Sequence, residues 1–175
     1  GTRTQTAGYD GGGQAVAIID TGVNLGHQFF TNVSVPAEAC FSGTAVGGFS
    51  SITSFCDAGL PVCTRIDEST GLPEDIPYSE CGSGAADPCT GNSLCWHGTH
   101  VAGIAVGNGG GRYGTASGAE LIPIQAFVKH SSYGLVAYDS DLIAALEHVL
   151  ELSDSIEIAA VNMSLGGDTF SSTAA

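Results

Sequence analysis

The strongest constraint on the fold is a set of short apolar runs, each cut off by glycine or polar turn residues. Gln14-Ala15-Val16-Ala17-Ile18-Ile19 is the first, Glu120 to Val128 the second and Ile156 to Met163 the third. Runs that are apolar without alternation, and rich in β-branched residues, suit strands buried on both faces, as in a parallel sheet. Two helical stretches lie between them. His97 to Val106 carries the small residues Ala102, Gly103 and Ala105, which permit close approach to a sheet, and Asn108-Gly109-Gly110-Gly111 supplies C-cap residues. Asp139 to Leu152 places Leu142, Ile143, Leu146, Val149 and Leu150 at helical spacing, with Asp139, Ser140 and Asp141 as cap and N-terminal negative charge. This order predicts an α/β fold: a doubly wound, mostly parallel sheet with helices on both faces. Residues 1–13 read as a lead-in loop and Asn24 to Phe30 as a helical turn or loop. Val33 to Phe41 reads as a further strand broken by Pro36, and Pro123 sits poorly in a central strand.

Residues 42–95 differ in character. They hold five of the six cysteines, four of the six prolines and no periodic pattern. A structureless segment of this length argues against an assignment unless it is cross-linked. The cysteines Cys40, Cys56, Cys63, Cys81, Cys89 and Cys95 are even in number, and the chain has few basic residues and much Gly and Ser. Both features favour disulfides and an oxidising, extracellular compartment. The pairing is open among fifteen combinations. Zinc is the rival use, but the spacings of 16, 7, 18, 8 and 6 contain no CxxC. We therefore expect a disulfide-rich insertion and no metal.

The 175 residues suffice for one domain, and the net charge of −14 rests on only four basic residues, Arg3, Arg65, Arg112 and Lys129. Such a chain lacks the electrostatic footprint for nucleic acid or an anionic membrane. It opens on Gly1-Thr2-Arg3 with no apolar leader and holds no run long enough to cross a bilayer, so it reads as a mature or excised piece.

Two stretches carry chemistry. The first apolar run ends at Asp20-Thr21-Gly22, and the carboxyl end of a buried parallel strand is where open α/β sheets hold their sites. Taken alone, Asp20 is equally good turn chemistry. The second stretch is Trp96-His97-Gly98-Thr99-His100-Val101-Ala102-Gly103-Ile104, with a histidine opening a helix. A buried Asp at a strand end and a His at a helix start are the parts of a charge-oriented base: the carboxylate fixes the imidazole tautomer and the imidazole moves a proton.

With both stretches in this order, the chain resembles the subtilisin-like serine proteases, the subtilase family. AVAIIDTGVNLGH is similar to the family's Asp box and WHGTHVAGI to its His box. GTASGAELIPIQAFV is similar to the small-residue turn and strand that follow the His box, and AAVNMSLGG to the strand that pairs with substrate. The resemblance implies Asp20 and His97 as catalytic residues, His100 as packing near the helix start, and the backbone of Ser164, Leu165 and Gly166 as substrate-binding. It implies a secreted endopeptidase acting on peptides or proteins. The family's nucleophile lies in a Gly-Thr-Ser box. No Gly-Thr pair in this chain, Gly43-Thr44, Gly98-Thr99 and Gly114-Thr115 among them, is followed by Ser. The expectation is therefore the N-terminal portion of a catalytic domain, incomplete at its C-terminal side. The serine, the oxyanion asparagine and the rest of the domain would lie elsewhere, on a continuation or a separate chain. The glycine-rich 107–114 segment is shorter than the family's calcium loop, so no calcium and no other cofactor is expected. His27 is expected to steady the loop after the Asp box, and His130 and His148 to lie on the surface.

Two other classes fit parts of the sequence. Ile18-Ile19-Asp20-Thr21-Gly22 also fits the motif of retropepsin-like aspartic proteases, but those are all-β and give the HGTH box no role. A degenerate or truncated protease fold that only binds peptides fits the lack of a nucleophile, yet has no need of an intact Asp and His pair. If the sheet is incomplete, its apolar edge should drive self-association or pairing with a complement.

Overall fold

The computed structural model of the chain describes residues 7–43, 51–56, 59–67 and 69–166. In chain order its strands begin with β1 (Ala15–Asp20), β2 (Ala39–Cys40), β3 (Ile52–Thr53), β4 (Thr64–Ile66), β5 (Pro73–Asp75) and β6 (Glu80–Cys81). Helix α1 (His97–Val106) follows, then β7 (Asn108–Gly109), β8 (Arg112–Tyr113), β9 (Glu120–Gln125), β10 (Val128–His130) and β11 (Gly134–Val136). Helix α2 (Asp139–Leu152) and β12 (Ile158–Asn162) complete the described elements.

The main sheet runs β12-β1-β9-β2-β6. Its first four strands are parallel, and β6 adds to β2 antiparallel. Helices cover both faces. On one, Ala145 and Val149 of α2 meet Ala15, Ala17, Ile19, Phe41, Ile122 and Ile124. On the other, Ala102 and Val106 of α1 meet Ile18, Val23, Phe30 and Leu121. The alternation along β1, odd residues to α2 and Ile18 to α1, is the period-two geometry of a strand. This is the α/β architecture read from the apolar runs. Among the described residues no helix is long and apolar enough to cross a membrane.

Pro123 is accommodated by the parity of the ladder. Leu121 N–H bonds Ser34 and Ala126 N–H bonds Asp20, so odd-numbered N–H groups of β9 face away from β1. On that side β2 begins only opposite Ile124, and the missing N–H of Pro123 interrupts no ladder bond. The strand expected over Val33 to Phe41 shrinks to Ala39–Cys40.

Four expectations are corrected. The glycines 109–111 do not cap α1. Gly107 leaves the helix in an extended conformation, and Gly110 and Gly111, at φ +58° and +73°, form the turn of the β7–β8 hairpin. The last helix carbonyls are instead met by the returning chain, where Thr115 N–H bonds Ile104 and Ala116 N–H bonds Ala105. Helix α2 has Tyr138, not Asp139, at its N-cap, and no side chain caps it. It buries the stripe Asp141, Ala145, His148 and Val149, while Ile143, Leu146 and Leu150 face solvent. Two apolar stripes lie on this helix, and the sheet takes only one. Strand β12 is an open edge rather than a strand buried on both faces: Ala159, Ala160 and Val161 are exposed. His148 is buried against Phe41, with Nε2 3.6 Å from Cys81 Sγ, and burial lowers its pKa.

The cysteines pair in sequence order, Cys40–Cys56, Cys63–Cys81 and Cys89–Cys95. The segment they pin is not surface decoration. It supplies β6 to the main sheet and β3 to a second sheet, β11-β10-β3. Its β4–β5 hairpin is held to α2 by Arg65, which bonds Glu74 within the hairpin and Glu147 on the helix.

Candidate active site

Asp20 ends β1, and its neighbours decide how it is held. The carboxylate is fully buried. A buried carboxylate requires donors, and it has two. Thr21 N–H donates to Oδ1 at 2.7 Å, and His97 Nδ1 lies 2.9 Å from both Oδ1 and Oδ2. An ionised carboxylate only accepts, so Nδ1 carries the proton and Nε2 of the neutral ring keeps its lone pair. The His97 side chain is 41% exposed and that of Asp20 1%, so one end of the pair is anchored in the interior and the other meets solvent.

His97 comes within reach because α1 begins on top of the β1 turn. Asn92 accepts from Leu94 N–H and starts a 3-10 turn, Ser93–Trp96, that runs directly into α1. The contact between helix and turn is made of backbone. A Cβ on Gly98 would meet Gly22 O at 2.3 Å and the Asp20 carboxyl at 3.1 Å. Gly22 has φ +84°, and a Cβ there would meet Asp87 O at 2.3 Å. Glycine is needed at both positions for the approach itself.

The Asp turn is pinned from every side. Thr21 Oγ1 accepts from Gly98 N–H at 3.1 Å and donates toward Leu94 O and Cys95 O, each at 3.4 Å. Thr99 Oγ1 accepts from Asn24 N–H at 2.9 Å. Thr21 O accepts from Cys89 N–H and from Gln125 Nε2, and Val23 N–H bonds Ala86. The end of the cysteine-rich segment thus packs directly against the turn that carries Asp20. Gln125, fully buried, also accepts from Phe127 N–H. Sequence reasoning passed over it; the signal available was one polar residue closing the apolar run ELIPIQ.

The remaining candidates separate. His100 is exposed, not packed: it lines a surface cavity of 450 Å³ with Phe29, Ile104, Arg112 and Tyr113. Three residues on from His97, it has rotated past the face that meets β1. His27 behaves as expected, accepting from Phe29 N–H to cap the 3-10 turn Gln28–Phe30. Ser164, Leu165 and Gly166 follow β12, whose Asn162 is level with Ile18, so they leave the sheet at the same end as Asp20. Ser164 Oγ donates to Asn162 Oδ1 at 2.9 Å. Gly167, the last residue of that motif, lies outside the described residues.

Chemically, a buried carboxylate oriented on a half-exposed imidazole is equipped to move protons through Nε2. Comparison with known proteins finds relatives named as extracellular proteases. The chain is 31% identical over 169 residues to an extracellular basic protease of Dichelobacter nodosus, covering 91% of this chain and 25% of that protein. It is 30% identical over 167 residues to an extracellular serine proteinase of Thermus sp. (strain Rt41A), covering 95% and 27%. An extracellular protease of Xanthomonas campestris is 31% identical over 169 residues, covering 93% and 26%. The chain therefore spans about a quarter of the length of the curated relatives it matches. The model of the subtilase family matches residues 11–175, and the chain belongs to that family.

Proposed function

We propose that this chain is the Asp- and His-bearing N-terminal portion of a secreted serine endopeptidase's catalytic domain, with residues 42–95 as its disulfide-rich insertion. The nucleophilic serine comes from outside these residues, on a continuation or a separate chain. The observation that carries this reading is the 2.9 Å contact of His97 Nδ1 with both oxygens of buried Asp20.

In the proposed reaction His97 Nε2 takes the proton of the serine hydroxyl as its oxygen attacks the peptide carbonyl. Asp20 stabilises the imidazolium that forms. The imidazolium then protonates the leaving amine, an acyl-enzyme remains, and water activated by the same ring releases it. The backbone of Ser164, Leu165 and Gly166 is assigned to pair with an extended peptide beside this pair. These steps use side chains and backbone alone, so the reading invokes no cofactor. Secretion is supported by the three disulfides and by the relatives' names as extracellular proteases.

A peptide-binding module without catalysis is the second reading, favoured only by the lack of a Gly-Thr-Ser box among these residues. A fluorophosphonate probe, which labels activated serines, separates the two. The intact protein bearing this chain should be labelled, its His97→Ala variant should not, and the 175 residues alone should stay unlabelled. An intact protein that takes no label overturns the protease reading.

A further inference from the structure

A cavity of 370 Å³ lies in the loop before α1, lined chiefly by Pro88, Cys89, Thr90, Asn92, Cys95 and Trp96. Its volume is at the small end of the range for ligand pockets, roughly 300–1,000 Å³. The walls are built, not incidental. The Cys89–Cys95 disulfide closes the loop, and Asn92 caps the 3-10 turn inside it. The loop is tied at both ends to the Asp turn: Cys89 N–H bonds Thr21 O, and the carbonyls of Leu94 and Cys95 accept from Thr21 Oγ1. The last wall residue, Trp96, directly precedes His97.

The lining is a proline ring, a disulfide, an indole and small uncharged polar groups, with no ionised side chain. Trp96 and Leu94 are each 59% exposed on this short turn. Large apolar side chains held in solvent beside a cleft mark a recognition surface, and tryptophan is enriched at such anchors. A charged occupant would lose water against the disulfide and the proline with no counter-charge in the wall. An acidic occupant would also face a chain of net charge −14.

We propose that this pocket is a subsite for one apolar or aromatic side chain of an extended peptide, adjacent to the bond that His97 addresses, with Trp96 as its specificity-determining wall. The proposal rests on the peptide-cleaving reading above and deepens it to a substrate class.

Trp96 is the single tryptophan of these 175 residues, and the fluorescence lost on Trp96→Phe reports on this pocket. The intact protein, with its Trp96→Phe variant as the fluorescence blank, is titrated with blocked Ala-X-Ala peptides in which X is Phe, Leu, Gly, Arg or Glu. Phe and Leu should give a saturable blue shift, with affinity at least about tenfold above Arg and Glu, and should shift the His97 ring resonances. Thr90→Glu, which adds a carboxylate to the wall, should abolish the Phe response while circular dichroism and melting temperature stay unchanged. No shift with any peptide, equal responses to all five, or a preference for Arg overturns the proposal; the last points to cation–π capture instead. The fluorophosphonate result is separate. A labelled protein without a Trp96 response sinks the subsite alone, and a Trp96 response in an intact protein that takes no label sinks the protease reading alone.

Discussion

Gly98→Ala gives a quantitative test of how α1 is seated on the Asp turn. The new Cβ would lie 2.3 Å from Gly22 O and 3.1 Å from the Asp20 Cβ and Oδ1. Ordinary contact begins near 3.4 Å, so the first turn of the helix must lift by about 1 Å. Overpacking of this kind costs about 1–3 kcal/mol. The lift also lengthens the 3.1 Å bond from Gly98 N–H to Thr21 Oγ1, worth roughly 0.5–1.5 kcal/mol. Against these stands the helix preference of Ala over Gly, up to about 1 kcal/mol. The net expectation is a loss of about 0.5–3.5 kcal/mol. For a chain of this size each kcal/mol moves the melting temperature by roughly 2–4 °C, so the variant should melt roughly 1–14 °C lower by circular dichroism. The His97–Asp20 contact should loosen with it, weakening the low-field proton resonance of His97 Nδ1–H. A variant as stable as the parent, with that resonance unmoved, would show that backbone contact at Gly98 does not seat the Asp20–His97 pair.

Further expectations follow from other parts of the structure. Replacing Cys63 and Cys81 by Ser opens an 18-residue separation and should cost about 3 kcal/mol by loop entropy, read as a fall in denaturant midpoint. Burial lowers the pKa of His148 below its ordinary 6.5, so the unfolded chain binds the proton more readily. Stability should therefore fall as the pH drops through about 6.5, and His148→Phe should remove that part of the acid sensitivity. Glu38 is shifted the other way. Burial raises its carboxyl above the ordinary 4.5, opposed by the Gly84 N–H bond and reinforced by Asp87. Its contribution therefore declines as the pH rises from about 4.5 through the raised value, and Glu38→Gln should flatten that slope in a pH series of melting temperatures. The open edge of β12, with Ala159, Ala160 and Val161 exposed, should make the isolated chain self-associate in sedimentation velocity, and a monodisperse monomer would contradict this.

The layered fold is legible in the sequence because continuous apolar runs have few solutions. Once β1, β9 and β12 read as parallel strands, helices must cover the sheet. The Asp20–His97 pair is legible through the glycines and threonines that let two segments 77 residues apart touch: Gly22, Gly98, Thr21 and Thr99 all take part in the contact. What escapes is whatever depends on which of two equivalent surfaces is used. Helix α2 offers two apolar stripes, and periodicity does not say that the sheet takes Ala145 and Val149 over Ile143 and Leu150. His100 and His148 exchange their expected environments for the same reason, since each position is fixed by helix rotation against a neighbour. The glycines 109–111 satisfy both a cap and a hairpin turn, and only the return of Thr115 and Ala116 onto the helix end decides. Disulfide pairing escapes because fifteen combinations share one set of spacings.

The central claim is that Asp20 orients His97 as the base of a serine peptidase. The measurement that bears on it most directly is steady-state peptide hydrolysis by the intact protein, with Asp20→Asn and His97→Ala set beside the parent. The expected fall in kcat is about 10⁴-fold for Asp20→Asn and about 10⁶-fold for His97→Ala, because the imidazole is the base itself and the carboxylate orients it. A kcat within about tenfold of the parent in either folded variant would contradict it.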